Sequence, residues 1–176
     1  MNTLNIAKNT GANTTQSGFP NTGLPPMHFY FITINQVIEH VHNSLVALRE
    51  TFRILKPGRN IWLATPNLES FSHVRFHSSW RGLEPPRHLT FFTHKSLKRA
   101  LTNSMYETVE KKLCAPEATW FYTSSLRISR NQDPNDPNSN TLPLILLLTV
   151  SLKNCKSVIN PKPVRNHFHR RKTAEK

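Results

Sequence analysis

The hydrophobic positions of the N-terminal half fall into short, dense runs that polar turns separate. The run over 28–36 is too continuous for a strand with one solvated face, so it predicts a buried strand of a parallel sheet. Its large apolar residues are Phe29, Phe31, Ile32 and Ile34. A second run, over 60–67, predicts another strand, which ends in a turn.

Between these two strands the apolar residues return every three or four positions, which predicts an amphipathic helix. The apolar stripe consists of Leu45, Leu48, Phe52 and Leu55. Asn43 or Ser44 would cap the first turn of this helix, and Pro57 followed by Gly58 would end it. The order strand, helix, strand predicts an α/β sheet, in which ligands bind at the carboxyl ends of the strands.

The segment over 66–93 has no helical or strand periodicity, although it is rich in aromatic residues. Loops of this length in compact domains are usually functional or disordered, and the aromatic content argues against disorder. Thr93 would cap a further helix, and 106–113 alternates weakly like a strand. The apolar run over 119–129 fits either a helix or a strand.

Composition divides the chain into five segments. We predict a loose N-terminal arm over 1–27, an α/β domain over 28–129, a linker over 130–141, an apolar strand over 142–152 and a basic tail over 153–176. The apolar run near 142–152 is about half of the ~20 residues that a membrane-spanning helix needs, so no membrane insertion is expected.

The chain contains 23 Lys and Arg residues but only 10 Asp and Glu residues, and the positive charge is unevenly distributed along the sequence. The segment 153–176 holds eight basic residues against Glu175 alone, and no acid precedes Glu39. Such a tail is usually a solvated end, and contact with nucleic acid is the alternative.

Cys114 and Cys155 form no CxxC pair, and the N-terminus lacks the apolar region of a secretory signal. A reducing, cytoplasmic location is therefore the default expectation.

Three separated stretches carry a family resemblance, and they read FITINQVIEHVHN, LKPGRNIWLATPN and WRGLEPPRHLTFF. In this order and spacing they resemble the second half of class I S-adenosylmethionine-dependent methyltransferases, over about residues 29–113. The resemblance implies a partial Rossmann-like α/β fold that lacks the N-terminal strands with their glycine loop. It also implies methyl transfer from S-adenosylmethionine to an oxygen, nitrogen or carbon atom of a small-molecule or other acceptor.

The resemblance assigns roles to two turns of this sequence. The turn after the first strand would lie near the methionine end of the cofactor, with Asn35, Gln36 and Glu39 as its binding residues. The loop over 80–89 would bind the acceptor. In that loop Trp80 would form a flat wall, Arg81 and Arg87 would contact anions, and Glu84 would complete the set.

His40 and His88 are the candidate catalytic bases, because an imidazole can accept a proton near neutral pH. Two structural alternatives remain open. Glu39, beside His40, could simply accept hydrogen bonds from nearby backbone, and Arg87 could pair with Glu84 merely to fix the loop.

No metal site is expected from the histidine spacing. His40 and His42 would diverge on a turn or a helix start, and no third ligand is evident. His73 and His77 are spaced as in a zinc helix but lack the glutamate of an HExxH motif, so surface histidines are the better interpretation.

The sequence also departs from the family pattern. It contains five glycines and no GxG, whereas the family holds its cofactor with a glycine-rich loop. Tyr30 stands where the family usually has Asp, and Arg59 stands where it usually has Gly. We therefore expect a truncated protein, weakly active or inactive alone, with a complementing half or an oligomer as partner. The alternative is a non-catalytic remnant that acts as a basic binding or scaffold protein.

Overall fold

The structure is a computed structural model and describes residues 11, 14, 18–112, 115–135, 158–159 and 162–163. These residues form four helices and six strands. In chain order they are β1 (Phe29–Asn35), α1 (Ser44–Ile54), β2 (Leu55–Ala64), α2 (Phe71–Phe76), α3 (His94–Thr102), β3 (Tyr106–Thr108), β4 (Lys111–Lys112), α4 (Ala115–Ile128), β5 (Val158–Ile159) and β6 (Lys162–Pro163).

The parallel pair β1 and β2 forms the centre of the fold and confirms the predicted α/β class. Ile32 lies opposite Ile61, and Ile34 lies opposite Leu63. The sheet continues in the order β1-β2-β5-β4 with antiparallel neighbours, while β3 and β6 form a separate pair. Because parallel strands end at the same edge, the carboxyl ends of β1 and β2 lie side by side there.

Helix α1 begins where the sequence predicts, since the Asn43 side chain accepts a hydrogen bond from the Val46 amide at 3.1 Å. It ends at Ile54, however, before Pro57 and Gly58, which lie inside β2. Between the pairs Phe29–Leu55 and Phe31–Asn60, β2 contains more residues than β1, so the register shifts. Gly58 has φ +73° in that irregular stretch, a conformation that glycine adopts without strain. The two residues shape the strand rather than end the helix.

The main core lies where α1 and α3 cover the sheet. Its fully buried side chains include Leu48, Ile61 and Leu97. Tyr106 packs edge-on against Phe52 with ring centroids 5.3 Å apart, and burial raises the pKa of the Tyr106 phenol. Each large apolar side chain removed from water here contributes about 1.5–3 kcal/mol.

Helix α3 confirms the predicted cap at Thr93. The Thr93 hydroxyl accepts a hydrogen bond from the Ser96 amide at 3.0 Å, and the Thr93 amide donates to the Ser96 hydroxyl at 2.9 Å. This reciprocal pair satisfies two donors at the start of the helix that would otherwise have no partner.

A second apolar cluster anchors the segment over 66–93. The ambiguous run over 119–129 forms most of helix α4, and its Phe121 and Tyr122 pack against Phe76 and Trp80. The stacked contact of Phe71 with Tyr122, with centroids 6.2 Å apart, extends this cluster. The long segment is therefore ordered by aromatic packing, as its composition suggests.

Two positions that depart from the family pattern lie in contact at the edge of the sheet. The Arg59 guanidinium carbon lies 5.1 Å from the centre of the Tyr30 ring, and the Lys56 ammonium lies 3.5 Å from it. A hydrogen bond from Lys56 and its positive charge lower the pKa of Tyr30. The two departures form one cation–π contact on an exposed surface.

Residues 18–27 fall within the predicted N-terminal arm and lie along α1. Thr22 donates a hydrogen bond to Glu50, and Arg53 donates one to the Leu24 carbonyl at 2.7 Å. The predicted apolar strand over 142–152 lies outside the described residues, and of the basic tail only β5 and β6 are described. No helix in the described part of the chain is long and apolar enough to cross a membrane.

Candidate functional site

The turn after β1 is fixed by the neighbouring strand. The Gln36 amide donates to the Ala64 carbonyl at 2.9 Å, and Gln36 itself has φ +53°. A short 3-10 turn over Ile38–His40 follows. It buries Glu39, whose side chain is 1% exposed and accepts a hydrogen bond from the Thr65 hydroxyl at 2.9 Å. Both strand ends thus hold the turn to which the sequence assigns the methyl donor.

The loop over 80–89 returns to this turn. The amides of Leu89 and Thr90 donate to the Glu39 carbonyl at 2.8 and 3.1 Å. His40 Nδ1 lies 2.9 Å from the Arg87 carbonyl oxygen, which can only accept a hydrogen bond. The structure therefore brings together the two segments that the sequence placed at neighbouring strand ends.

The two predicted bases meet at this junction. The rings of His40 and His88 contact each other with centroids 4.7 Å apart and planes at 64°. His88 Nδ1 lies 2.7 Å from the Gly82 carbonyl oxygen. Because a carbonyl accepts, Nδ1 carries the proton in both rings, and Nε2 of each neutral ring keeps the lone pair. Glu39, His40 and His88 each offer one potential ligand atom, a carboxylate oxygen or a ring nitrogen, and these atoms lie within 4.8 Å of one another.

Glu84 forms ion pairs with both arginines of the loop, Arg81 and Arg87. Its Oε1 accepts from Arg87 Nη1 at 2.6 Å and lies 3.2 Å from Arg81 Nη2. Its Oε2 lies 3.7 Å from His88 Nε2. The ion pair between Arg87 and Glu84, left open by the sequence, is therefore present. The Arg87 side chain is still 68% exposed, so its guanidinium can also face a ligand.

A cleft of about 340 Å³ opens beside these residues. Its lining combines the turn, the loop and helix α4, and comprises Gln36, His40, Arg81, Glu84, Arg87, His88, Trp120 and Phe121. Trp120 is 45% exposed, and the Arg81 guanidinium carbon lies 5.5 Å from the centre of its ring. The cleft has an aromatic wall, a cationic rim and two imidazoles.

Trp80 does not line this cleft. It is 3% exposed and packs in the second cluster, with its ring centroid 4.8 Å from that of His73. A Cβ atom added at Gly82 would lie 2.3 Å from the Trp80 ring, so the two residues pack without space between them. The aromatic side chains that line the cleft are Trp120 and Phe121, whereas the family resemblance assigned a flat wall to Trp80. The apolar run over 119–129 was the only sequence signal for these two residues.

Asn35 ends β1 opposite Ala64 at the same edge. The other histidines that the sequence raised for metal binding lie elsewhere. His42 and His77 are exposed, and His73 Nδ1 lies 2.6 Å from the Leu68 carbonyl oxygen. Within the described residues, the three-residue group suited to a metal contains none of them.

Comparison with known proteins places the chain among methyltransferases. The sequence model of the methyltransferase domain family matches residues 4–111, and no curated protein matches the chain. The structure resembles a SAM-dependent methyltransferase from Thermotoga maritima, with a TM-score of 0.60, 16% identity and coverage of 91% of this chain and 68% of that one. An S-adenosylmethionine-dependent methyltransferase from Mesorhizobium loti gives a TM-score of 0.56, 13% identity and coverage of 90% and 74%.

A third similar structure is a complex of a Haloferax volcanii methyltransferase with its activator Trm112, with a TM-score of 0.56 and 14% identity over 88% of this chain. The match covers 66% of the matched chain in that complex. These likenesses confirm the Rossmann-like α/β fold, and the family model covers more than half of the chain. The chain belongs to the class I S-adenosylmethionine-dependent methyltransferase family.

Proposed function

We propose that this chain forms the acceptor side of a methyltransferase site and that its cleft binds a small-molecule acceptor. The observation that carries the proposal is the junction of the donor-side turn and the loop over 80–89. Both Leu89 and Thr90 donate to the Glu39 carbonyl. An acceptor held in the cleft would therefore lie next to the turn, and methyl transfer depends above all on such positioning.

The cleft favours an acceptor with a flat or apolar part and a negative charge. Trp120 offers an exposed ring for stacking, and Arg87 offers a planar guanidinium for a carboxylate or a phosphate. The Nε2 atom of His88 or His40 would take the proton of an acceptor hydroxyl or amine. Trp80 does not contact the acceptor in this proposal but supports the loop by packing against Gly82.

The residues present fit the cofactor only in part. Asn35, Gln36 and Glu39 would hold the methionine end of S-adenosylmethionine, which supplies the methyl group when bound. The adenosine half needs close backbone approach, yet the chain has no GxG. Gly58 lies in β2 and Gly82 packs against Trp80. Cofactor binding by this chain alone is therefore weak in our proposal, and a complementing half or an oligomer would supply the rest.

The second candidate function is a non-catalytic binding protein, and the missing glycine loop favours it. Both candidates are compatible with the reducing, cytoplasmic location that the two cysteines suggest. The two candidates predict different results when a glycine-rich loop is supplied, because only the first predicts methyl transfer.

The test fuses a glycine-loop half from a class I methyltransferase to this chain. Calorimetry on the chain alone should give a dissociation constant for S-adenosylmethionine weaker than about 0.1 mM. The fusion should bind in the micromolar range and methylate planar anionic compounds from a panel, followed with a labelled methyl group. Low-micromolar binding by the chain alone would contradict the partial fit. A folded fusion that binds the donor and methylates nothing would favour the second candidate.

A further inference from the structure

Three potential metal ligands converge at the junction of the turn and the loop. Glu39 and His40 are adjacent in the turn, whereas His88 comes from the far end of the loop. Their ligand atoms lie within 4.8 Å of one another. Glu39 is 1% exposed and His88 is 8% exposed, so two of the three ligands are already desolvated by the protein.

The surrounding hydrogen bonds are of the kind that metal-binding histidines usually make. His40 Nδ1 lies 2.9 Å from the Arg87 carbonyl oxygen, and His88 Nδ1 lies 2.7 Å from that of Gly82. Metal-binding histidines almost always donate their second ring N–H to a carbonyl or a carboxylate, because this fixes the tautomer with the free lone pair. The Glu39 carboxylate is in turn held by the Thr65 hydroxyl at 2.9 Å.

Carboxylates offset part of the positive charge near the cluster. Arg81 and Arg87 both approach Glu84, at 3.2 and 2.6 Å, so one of their two positive charges is compensated within the loop. The Glu39 carboxylate then contributes negative charge at the ligand cluster itself. A divalent ion at the cluster would meet one carboxylate and two imidazoles.

We propose that Glu39, His40 and His88 bind one divalent transition-metal ion, with zinc as the best match. Two imidazole nitrogens and one carboxylate oxygen form a ligand set typical of zinc, whereas Ca²⁺ and Mg²⁺ prefer oxygen ligands alone. Three protein ligands leave a fourth position, and His40 and His88 also line the cleft. This arrangement corresponds to a zinc site with one position open to water or to a ligand oxygen.

The inference goes beyond the proposed methyl transfer, with which it shares three residues, Glu39, His40 and His88. With a metal bound, the Nε2 atoms of His40 and His88 would be ligands instead of bases. The ion would then favour loss of the proton from an acceptor hydroxyl that it binds. Metal binding itself requires neither donor nor acceptor, so it can be measured without them.

The test is a titration of the full chain with Co²⁺ and Zn²⁺ in the absence of donor and acceptor. Co²⁺ reports its coordination through visible absorption, and calorimetry gives the stoichiometry with Zn²⁺. We expect one ion per chain, with a dissociation constant of about 10 µM or tighter. His40→Gln and His88→Gln should each weaken binding by at least about 30-fold.

Matched variants separate this site from other histidines. His42→Gln and His73→Gln remove an imidazole outside the cluster and should leave the affinity unchanged. His40 is less buried than His88, so His40→Gln tests the site even if His88→Gln fails to fold, as judged by circular dichroism.

Two results would overturn the inference. One is the absence of a bound ion in the wild-type chain. The other is full retention of binding in a folded His40→Gln variant, particularly if binding is lost on replacing His167 and His169 of the tail. Neither result depends on whether the chain transfers methyl groups.

Discussion

His40 and His88 form an edge-to-face pair, with ring centroids 4.7 Å apart, although one follows β1 and the other ends the acceptor loop. Each ring is oriented by a different backbone carbonyl of the loop. The pair thus connects the donor side and the acceptor side of the proposed site. Changes on either side should affect the reacting groups in distinguishable ways.

Replacing Trp120 with Ala should impair acceptor binding in the assembled enzyme. The exposed ring lines the cleft, and loss of a stacking surface is worth about 0.5–1.5 kcal/mol. We expect the acceptor KM to rise about threefold to tenfold while the donor dissociation constant stays the same. Steady-state kinetics and donor calorimetry measure the two quantities. Trp62→Ala, on β2 and outside the cleft lining, is the matched control. If the variant instead raises the donor dissociation constant and leaves the acceptor KM unchanged, the cleft binds the donor and not the acceptor.

Replacing Gly82 with Ala should destabilise the protein. The new methyl group would lie 2.3 Å from the buried Trp80 ring, and overpacking of this kind costs about 1–3 kcal/mol. Urea denaturation followed by tryptophan fluorescence measures the loss. Gly18→Ala is the control, because nothing lies within 4 Å of its added Cβ atom. Equal stability of the two variants would show that the loop accommodates the methyl group.

The stabilising effect of Glu50 should depend on pH. Its side chain is 14% exposed, and hydrogen bonds from Arg53 and Thr22 lower the pKa of Glu50 to about 2. A lowered folded pKa stabilises the protein above the unfolded pKa, near 4.5, and this contribution is lost as the pH falls toward 2. Because solvent screens the pair, we expect about 1 kcal/mol at neutral pH.

Comparison of Glu50→Gln with the wild type in urea at several pH values tests this expectation. The difference in unfolding free energy should be largest near pH 7 and should shrink between about pH 4.5 and pH 2. A difference that persists at the lowest pH would mean that the carboxylate charge contributes nothing and that the substitution acts through packing.

Loss of the α3 cap should reduce stability without affecting the site. Thr93→Ala removes the hydroxyl that accepts from the Ser96 amide, and such caps contribute about 1 kcal/mol. Thr102→Ala, an exposed position in the last turn of the same helix, should change stability by less than about 0.5 kcal/mol. Thermal or urea unfolding of both variants gives the comparison. Similar losses in both would indicate a helix-wide effect rather than a cap.

Nucleic-acid binding by the tail, if present, should be unspecific and sensitive to salt. Residues 153–176 hold eight basic residues and only one large aromatic ring, Phe168. The contacts should be to phosphates, so affinity should fall steeply as salt rises. Fluorescence anisotropy with unrelated RNA sequences, with and without residues 153–176, measures this. A sequence preference that survives at high salt would contradict a purely electrostatic tail.

Local signals predicted the parts of the fold that depend on neighbouring residues. The caps at Asn43 and Thr93 require only a side chain and the next turn of backbone, so the starts of α1 and α3 were predictable. The end of α1 at Ile54 was not, because pairing with β1 extends β2 back to Leu55. There the tertiary context outweighs the effect of Pro57 and Gly58.

The candidate site also combines features that the sequence predicts with features that depend on tertiary contacts. The sequence indicated that the turn at Asn35–His40 and the segment after the second strand both lie at carboxyl ends of strands, but not that they form hydrogen bonds with each other. It could not indicate that α4 would cover Trp80 and present Trp120 instead, because that depends on a helix beyond the matched motifs. The cluster of Glu39, His40 and His88 likewise depends on how the loop returns, which no spacing along the chain reveals.

The acceptor loop is attached to the donor turn through main-chain atoms, since Leu89 and Thr90 use their amides and Glu39 its carbonyl. Every residue except proline carries these groups. Descendants of this sequence can therefore exchange the side chains at 89 and 90 while the loop keeps its place. In the proposed site, substitution within the loop would change the acceptor preference without loss of this backbone framework.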